Sequence, residues 1–315
     1  MRIAFLGTPA FAVPSLEALA REGFEIPAVF TQPDRPKGRG QQLSASPVKE
    51  AALRLGLTVL QPERIRRPEA MEALRGLALE AMVVVGYGQI IPQAIIDLVP
   101  LGIVNVHASL LPKYRGAAPI QWAIANGETR TGVTTMRIDA GLDTGDMLLK
   151  SELEIGSGET APELSARLAE SGARLLIETM RGLASGTIEP EKQDHAQHSL
   201  APILKKEDGL IDWHQPASRI HARARGFQPW PGAYTLFRGQ TLHVWKCSVT
   251  DSSTPSAAPG TMLLPDRKRL LVACGGGSAL EIQDVQIQGR NRVDAASFRN
   301  GRRIVDNERL GEITT

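Results

Sequence analysis

Ala81-Met82-Val83-Val84-Val85, closed by Gly86-Tyr87-Gly88, and Ile103-Val104-Asn105-Val106-His107 are the two stretches on which the fold turns. The first is an unbroken apolar run bounded by glycine, which suits a strand covered on both faces. The second begins in the same β-branched texture and then places Asn105 and His107 two residues apart. Side chains alternate along a strand, so these two share a face at its carboxyl end. Toward the N-terminus, Ile3–Leu6 is a similar run ended by Gly7-Thr8-Pro9. Phe11–Arg21 reads as a helix stopped before Gly23, Ile26–Phe30 as a strand, and 33–47 as a polar loop rich in Gly, Pro and cations. Val48–Leu55 reads as a helix and Thr58–Leu60 as a short strand. Toward the C-terminus, Val133–Ile138 and Met147–Leu149 read as strands, and Pro162–Leu183 as an amphipathic helix anchored by Leu164, Leu168, Leu175, Leu176 and Ile177. Strands alternating with helices predict a doubly wound, mostly parallel, Rossmann-like α/β domain over residues 1–188.

The texture then changes. A polar stretch with two prolines and two histidines predicts an interdomain linker at 189–208. Beyond it, Ala233–Phe237, Thr241–Val249, Arg269–Ala273 and Leu280–Ile287 are short strands between Gly, Pro and Ser turns, which predicts a small OB-like β-barrel over 209–315. Trp213, Trp230 and Trp245 are expected in its core, the usual place for tryptophan in a small barrel, although each could also stack on a nucleobase.

Length and composition agree with two globular domains: 315 residues, 42% hydrophobic and 22% charged. Net charge is only +2, yet 209–315 holds 14 Lys/Arg against 9 Asp/Glu, while the rest of the chain holds 22 against 25. A basic C-terminal part on a mildly acidic body points to a polyanionic partner as readily as to chance imbalance on a solvated surface. Cys247 and Cys274 form neither a disulfide framework nor a zinc pattern. No metal-ligand spacing is visible, so no metal is expected. The chain opens directly into a strand pattern, with no signal, transit or long apolar segment, so a cytoplasmic protein without a membrane association is expected.

A second polar group follows the strand-end pair: Asp139-Ala-Gly-Leu-Asp143-Thr-Gly-Asp146. A histidine, an amide and a carboxylate can make an acid/base site with a donor for a developing oxyanion. A hydrogen-bonded structural histidine and a turn aspartate would leave the same pattern.

The run Asn105-x-His107-x-Ser109-Leu110-Leu111-Pro112, then Tyr114-Arg-Gly116, then Gly141-Leu-Asp-Thr-Gly-Asp146, resembles the folate-dependent formyltransferase family. Phe5-Leu-Gly-Thr-Pro9, Thr31-Gln-Pro-Asp-Arg-Pro-Lys-Gly-Arg-Gly40 and Gly116-Ala-Ala-Pro-Ile-Gln121 narrow the resemblance to the branch that acts on methionyl-initiator tRNA. The likeness is dense from Met1 to about Leu149 and resumes at Ile211-Asp-Trp-His214 and Gly226–Ala233. It implies catalytic roles for Asn105, His107 and Asp143. It implies that Ser109, Leu110, Leu111, Pro112, Gly86, Tyr87 and Gly88 line the site of 10-formyltetrahydrofolate, the formyl donor. It implies that Arg35, Lys37 and Arg39 meet the acceptor end of the tRNA, and that Arg290 and Arg292, standing where the family carries lysines, serve the tRNA-binding barrel. A monomer is expected. The same trio would serve a glycinamide ribonucleotide or sugar-nucleotide formyltransferase, although a one-domain purine enzyme would not need the C-terminal barrel. A nicotinamide dehydrogenase lacks support, since Gly7-Thr-Pro-Ala and Gly86-x-Gly88 do not complete a G-x-G-x-x-G turn. An RNA-binding module on an inert α/β scaffold is the third alternative.

Overall fold

A computed structural model describes residues 1–37, 42–251 and 257–311. They gather into two compact units: Met1–Pro119, Arg130–Glu154 and Ser165–Pro202 form the first, and Ile120–Thr129, Ile155–Leu164 and the chain from Ile203 onward form the second.

The first unit opens with β1 (Ile3–Gly7), α1 (Val13–Arg21), β2 (Val29–Phe30), β3 (Arg35–Lys37), β4 (Gln42–Ser44), α2 (Pro47–Arg54) and β5 (Val59–Leu60). Next come α3 (Pro68–Gly76), β6 (Ala81–Val85), α4 (Gln93–Ile96), β7 (Ile103–His107) and α5 (Pro119–Ala125), whose residues from Ile120 on belong to the second unit. β8 (Arg130–Arg137), β9 (Met147–Glu154) and α6 (Ala161–Ser185) follow. Seven strands lie in the order β5-β2-β1-β6-β7-β8-β9. β5, β2, β1, β6 and β7 are parallel, β8 runs against them, and β9 is antiparallel to β8. The all-apolar runs end where parallel strands need them: β1 and β6 are buried at every residue. β9 instead alternates toward its end, with Lys150, Glu152 and Glu154 exposed, as an edge strand with one wet face does. α6 lies close over the sheet at Gly172, where a Cβ would come within 2.9 Å of Val106.

Three local expectations change. The strand read at Ile26–Phe30 shrinks to Val29–Phe30, because Pro27 has no N–H to give to a ladder. The polar loop at 33–47 contains an antiparallel hairpin, β3 with β4. It leads into α2, whose Ser46 hydroxyl accepts the Lys49 N–H at 3.0 Å as an N-cap ahead of Pro47. The polar stretch around 191–201 hydrogen-bonds along the first unit. Met147 and Glu191 exchange N–H···O bonds of 2.8 Å, and Arg115 is bonded to Ser199 and Ala201 in the same way at 2.9 and 2.7 Å.

The second unit contains α7 (Ala217–Gly226), β10 (Ala233–Phe237), β11 (Gln240–Thr250), β12 (Met262–Leu263), β13 (Leu270–Ala273), β14 (Ala279–Ile287), β15 (Val293–Asp294) and α8 (Ala295–Arg302). The antiparallel order is β10-β11-β14-β13-β12, with β15 on β14. Irregular register around Lys246 bends the long β11, as bulges do. Between the outer strands runs the segment 307–311. Gly311 N–H donates to Leu236 O at 2.8 Å, and Leu310 N–H to Gly260 O at 2.9 Å. The result is a curled, barrel-like sheet around Trp213, Phe237, Val244, Leu280, Ile282 and Phe298. Trp213 is core, its indole N–H donating to Thr235 Oγ1 at 3.1 Å. Trp230 is not: it is 56% exposed. Trp245 is half-buried, its N–H on Gln286 Oε1 at 2.9 Å. Both cysteines are free and buried, and burial pushes each thiol up to about 12.

Tyr87 fills the apolar cluster behind β1 and β6 at 1% exposure. Its hydroxyl is buried without a hydrogen-bond partner among the described residues, and burial raises its pKa to about 12. An unpaired buried hydroxyl costs about 1–3 kcal/mol. Tyr87→Phe is therefore expected to stabilise the protein by about 1 kcal/mol, read as a higher urea midpoint at unchanged slope. A midpoint below that of the parent would show that the hydroxyl is satisfied in solution.

Candidate active site

Because β1, β2, β5, β6 and β7 are parallel, their carboxyl ends share one edge of the sheet, where open α/β sheets bind ligands. β7 brings Asn105 and His107 to that edge, braced on its far side by antiparallel β8 through the pairs Asn105–Met136 and His107–Thr134. Asn105 is half-buried, and its side-chain amide has no partner among the described residues. His107 is 6% exposed. Its Nε2 lies 2.9 Å from the Tyr114 carbonyl, which can only accept, so Nε2 carries the hydrogen and donates it. The other nitrogen, Nδ1, faces Asp143 Oδ2 at 3.6 Å. That is longer than a direct hydrogen bond.

The same Asp143 oxygen accepts the Gly116 N–H at 2.8 Å. Asp143 sits at φ 51°, in the left-handed region that aspartate enters more readily than most residues. Such strain persists only where surroundings hold it. Here Gln193, 5% exposed, donates from Nε2 to Asp143 O at 2.9 Å and to Gly145 O at 2.7 Å. Its Oε1 accepts from Arg115 Nε and Nη2 at 3.0 and 2.6 Å. Gly145 must be glycine, because a Cβ there would run into the Arg137 carbonyl. Gln193 is the site residue that sequence reasoning missed: its partners lie 48 to 78 residues away in the chain, so no local motif marks it. Arg115 stands in the Tyr114-Arg-Gly116 run, but the sequence gives its side chain no role.

The Ser109–Pro112 segment is mostly built into the loop that carries the Tyr114 carbonyl. Ser109 is buried and its hydroxyl donates to Lys113 O at 2.6 Å. Thr134 Oγ1 donates to Ser109 O at 2.7 Å and accepts the Leu111 N–H at 3.1 Å. Leu111 packs with Met136 and Met147. Leu110 and Pro112 remain half-exposed, as candidates for contact with a ligand. Gly86 and Gly88 are exposed, whereas the Tyr87 ring points into the core and only its backbone is at hand; Thr8 Oγ1 and Gln32 Nε2 each donate to its carbonyl at 3.1 Å. Of the basic residues, Arg35 is exposed on β3 and Lys37 ends that strand, while Arg39 lies outside the described residues. Arg290 is exposed. Arg292 is engaged, bonded to Asp284 Oδ2 at 2.6 Å with its guanidinium 5.6 Å from the Trp245 ring centre. Among the described residues, no group of three or more His, Cys, Asp or Glu is placed to hold a metal ion.

A parallel-sheet edge bearing a free amide, an anchored imidazole and a carboxylate has the groups that acid/base and oxyanion-stabilising chemistry uses. The chain belongs to the formyl transferase family: residues 1–180 match the family described as "Formyl transferase", and residues 203–303 match "Formyl transferase, C-terminal domain". It is 66% identical to the methionyl-tRNA formyltransferase of Solibacter usitatus over 99% of both chains. It is 54% identical to that of Koribacter versatilis over the full length of both. Its fold is similar to that of a sugar 3N-formyl transferase crystallised in the presence of dTDP and 5-N-formyl-THF, with a TM-score of 0.68 at 18% identity over 92% of this chain and 99% of that one.

Gln193→Ala is expected to loosen the Asp143 loop. It leaves Arg115 Nε and two backbone carbonyls without their partner in a buried place, while Arg115 Nη2 keeps only His195 Nδ1 at 3.1 Å, at a cost of about 2 kcal/mol or more. Urea unfolding should show that loss, together with a fall in formyl transfer. Unchanged stability and unchanged turnover would mean that the loop holds itself.

Proposed function

We propose that this chain transfers a formyl group from 10-formyltetrahydrofolate to the α-amine of methionine esterified to initiator tRNA, with Asn105, His107 and Asp143 as its catalytic residues. The observation that carries the reading is the pairing of a partnerless, half-buried Asn105 amide with a buried His107 whose far nitrogen is already committed to Tyr114 O. Whole-length relatives named methionyl-tRNA formyltransferase favour this acceptor over an amino sugar.

The nucleophile is a neutral amine and the electrophile a formyl carbon on N10 of the reduced folate. Attack places negative charge on the formyl oxygen. The unpartnered Asn105 N–H is a donor for that charge. With Nε2 engaged, the working nitrogen of His107 is Nδ1, on the Asp143 side. Protonated there, it donates to the same oxygen or hands a proton toward N10, and the Asp143 carboxylate supports the charge. One proton leaves the attacking amine and one arrives at N10, so the residues relay a proton and end unchanged. Gly86, Gly88, Leu110 and Pro112 are the accessible candidates for folate contact. In this reading residues 1–188 carry the chemistry and the basic 209–315 part holds the tRNA, with Arg35, Lys37, Arg39, Arg290 and Arg292 contributing cations. No helix among the described residues is long and apolar enough to cross a membrane. The reading has the enzyme working in the cytoplasm as a monomer.

The test is to supply 10-formyltetrahydrofolate with methionyl-tRNA, or with an amino-sugar nucleotide, and to look for the formylated product. Formyl-methionyl-tRNA is expected; formylation of the sugar alone would overturn the proposal. His107→Ala should lower kcat by about 10²–10⁴-fold, and Asn105→Ala by about 10²–10³-fold, with thermal unfolding little changed for Asn105→Ala. Either variant within threefold of the parent would remove that residue from the chemistry.

A further inference from the structure

A cleft of about 750 Å³ opens in the first unit over the carboxyl ends of β2, β5 and β6. Its charged lining is Asp34, Arg35, Glu63, Arg64 and Arg66, and exposed Ile90 stands at its rim. The carboxylates are already taken. Asp34 holds Lys49 Nζ at 2.6 Å and Gln61 Nε2 at 2.8 Å, and these bonds keep its carboxyl below the usual range. Glu63 pairs with Arg67 at 2.7 Å, from a guanidinium that is not part of the lining. The guanidinium groups of Arg35, Arg64 and Arg66 make no hydrogen bond or ion pair among the described residues. A cleft whose acids are neutralised and whose three arginines are free is a site for an anion with several charges.

Its place on the sheet says which anion. Strands lie about 4.8 Å apart, so β6 is one step and β2 three steps, about 5–15 Å, from β7 and its Asn105 and His107. An acceptor whose amine reacts at β7 lays its next few nucleotides along this edge, over β6 toward β2 and β5. Ile90, 90% exposed, offers an apolar surface for a base beside the charges. Resting on the methionyl-tRNA reading above, we propose that Arg64 and Arg66 join Arg35 in seating phosphates of the single-stranded acceptor end of the tRNA. Arg64 and Arg66 lie outside the basic 33–40 loop and carry no motif, so only the fold brings them to it.

The experiment uses full-length protein and compares the parent with Arg64→Gln/Arg66→Gln, and with Arg54→Gln/Arg75→Gln as a control of equal charge loss outside the cleft. Filter retention of methionyl-tRNA at several salt concentrations is measured beside steady-state formylation. Each single-strand phosphate contact contributes about 0.7 to the log–log salt slope, so the cleft variant should lose about 1.4 in slope and about tenfold in tRNA affinity at low salt. Its KM for methionyl-tRNA should rise in step, with kcat and the KM for 10-formyltetrahydrofolate within twofold of the parent, and the control should match the parent. Equal slopes and affinities for the cleft variant and the control would overturn the proposal. A rise confined to the folate KM would overturn it too, assigning the cleft to the carboxylate tail of the donor. A parent that binds methionyl-tRNA without formylating it would instead overturn the proposed function, and the salt slope would still decide the cleft.

Discussion

One carboxylate oxygen, Asp143 Oδ2, holds the site together. It accepts the Gly116 N–H and faces His107 Nδ1, so a single atom ties the end of β7, the loop after it and the turn after β8. The geometry is over-determined from both sides. The far nitrogen of the imidazole is fixed on Tyr114 O, so the ring cannot rotate to another tautomer without losing a buried hydrogen bond. The Asp143 backbone, held at φ 51°, is pinned by Gln193, which is pinned in turn by Arg115. The residues of this circuit come from four separated stretches, around His107, Tyr114–Gly116, Asp143 and Gln193. Buried polar networks of this kind fix one arrangement when every member is satisfied.

The larger fold explains why the circuit sits where it does. Five parallel strands bring their carboxyl ends to one edge, and the antiparallel hairpin of β8 and β9 extends the sheet on the far side of β7. The edge then has a direction, from the imidazole at β7 past the exposed glycines after β6 to the arginines after β2 and β5. Chemistry at one end and free cations at the other suit a reacting amine at the tip of a polyanion.

Much of this was legible in the sequence, and the limits have physical causes. Ala81–Val85 and Ala233–Phe237 were read to the residue because the first is uniformly apolar and the second alternates. The short helices at Pro68–Gly76, Ala217–Gly226 and Ala295–Arg302 carry little local signal, since each is only 8 to 10 residues long with charged residues breaking its apolar stripe, and tertiary packing holds them. The polar 189–208 stretch looked like a tether because its Gln193 and Ser199 side chains satisfy groups that are distant in the chain. For the site, alternation alone put Asn105 beside His107. The likeness to formyltransferases added Asp143, and only the fold shows that its carboxylate meets the imidazole. Ser109 and Tyr87 illustrate the converse: they sit in motifs to which the resemblance gives a ligand-lining role, yet their side chains are buried and serve the loop and the core.

The central claim is that the Asp143 carboxylate acts through His107 and not merely as a peg for the loop. The most direct measurement is the pH–rate profile of formyl transfer by Asp143→Asn, with thermal unfolding followed in parallel. An amide oxygen can still accept the Gly116 N–H, so the loop should stay folded. The charge that supports the imidazole is gone, so turnover at the optimum should fall by about 10²-fold or more and the profile should change shape. A variant that keeps the profile of the parent within threefold of its rate would contradict the account and leave Asp143 as a structural turn residue.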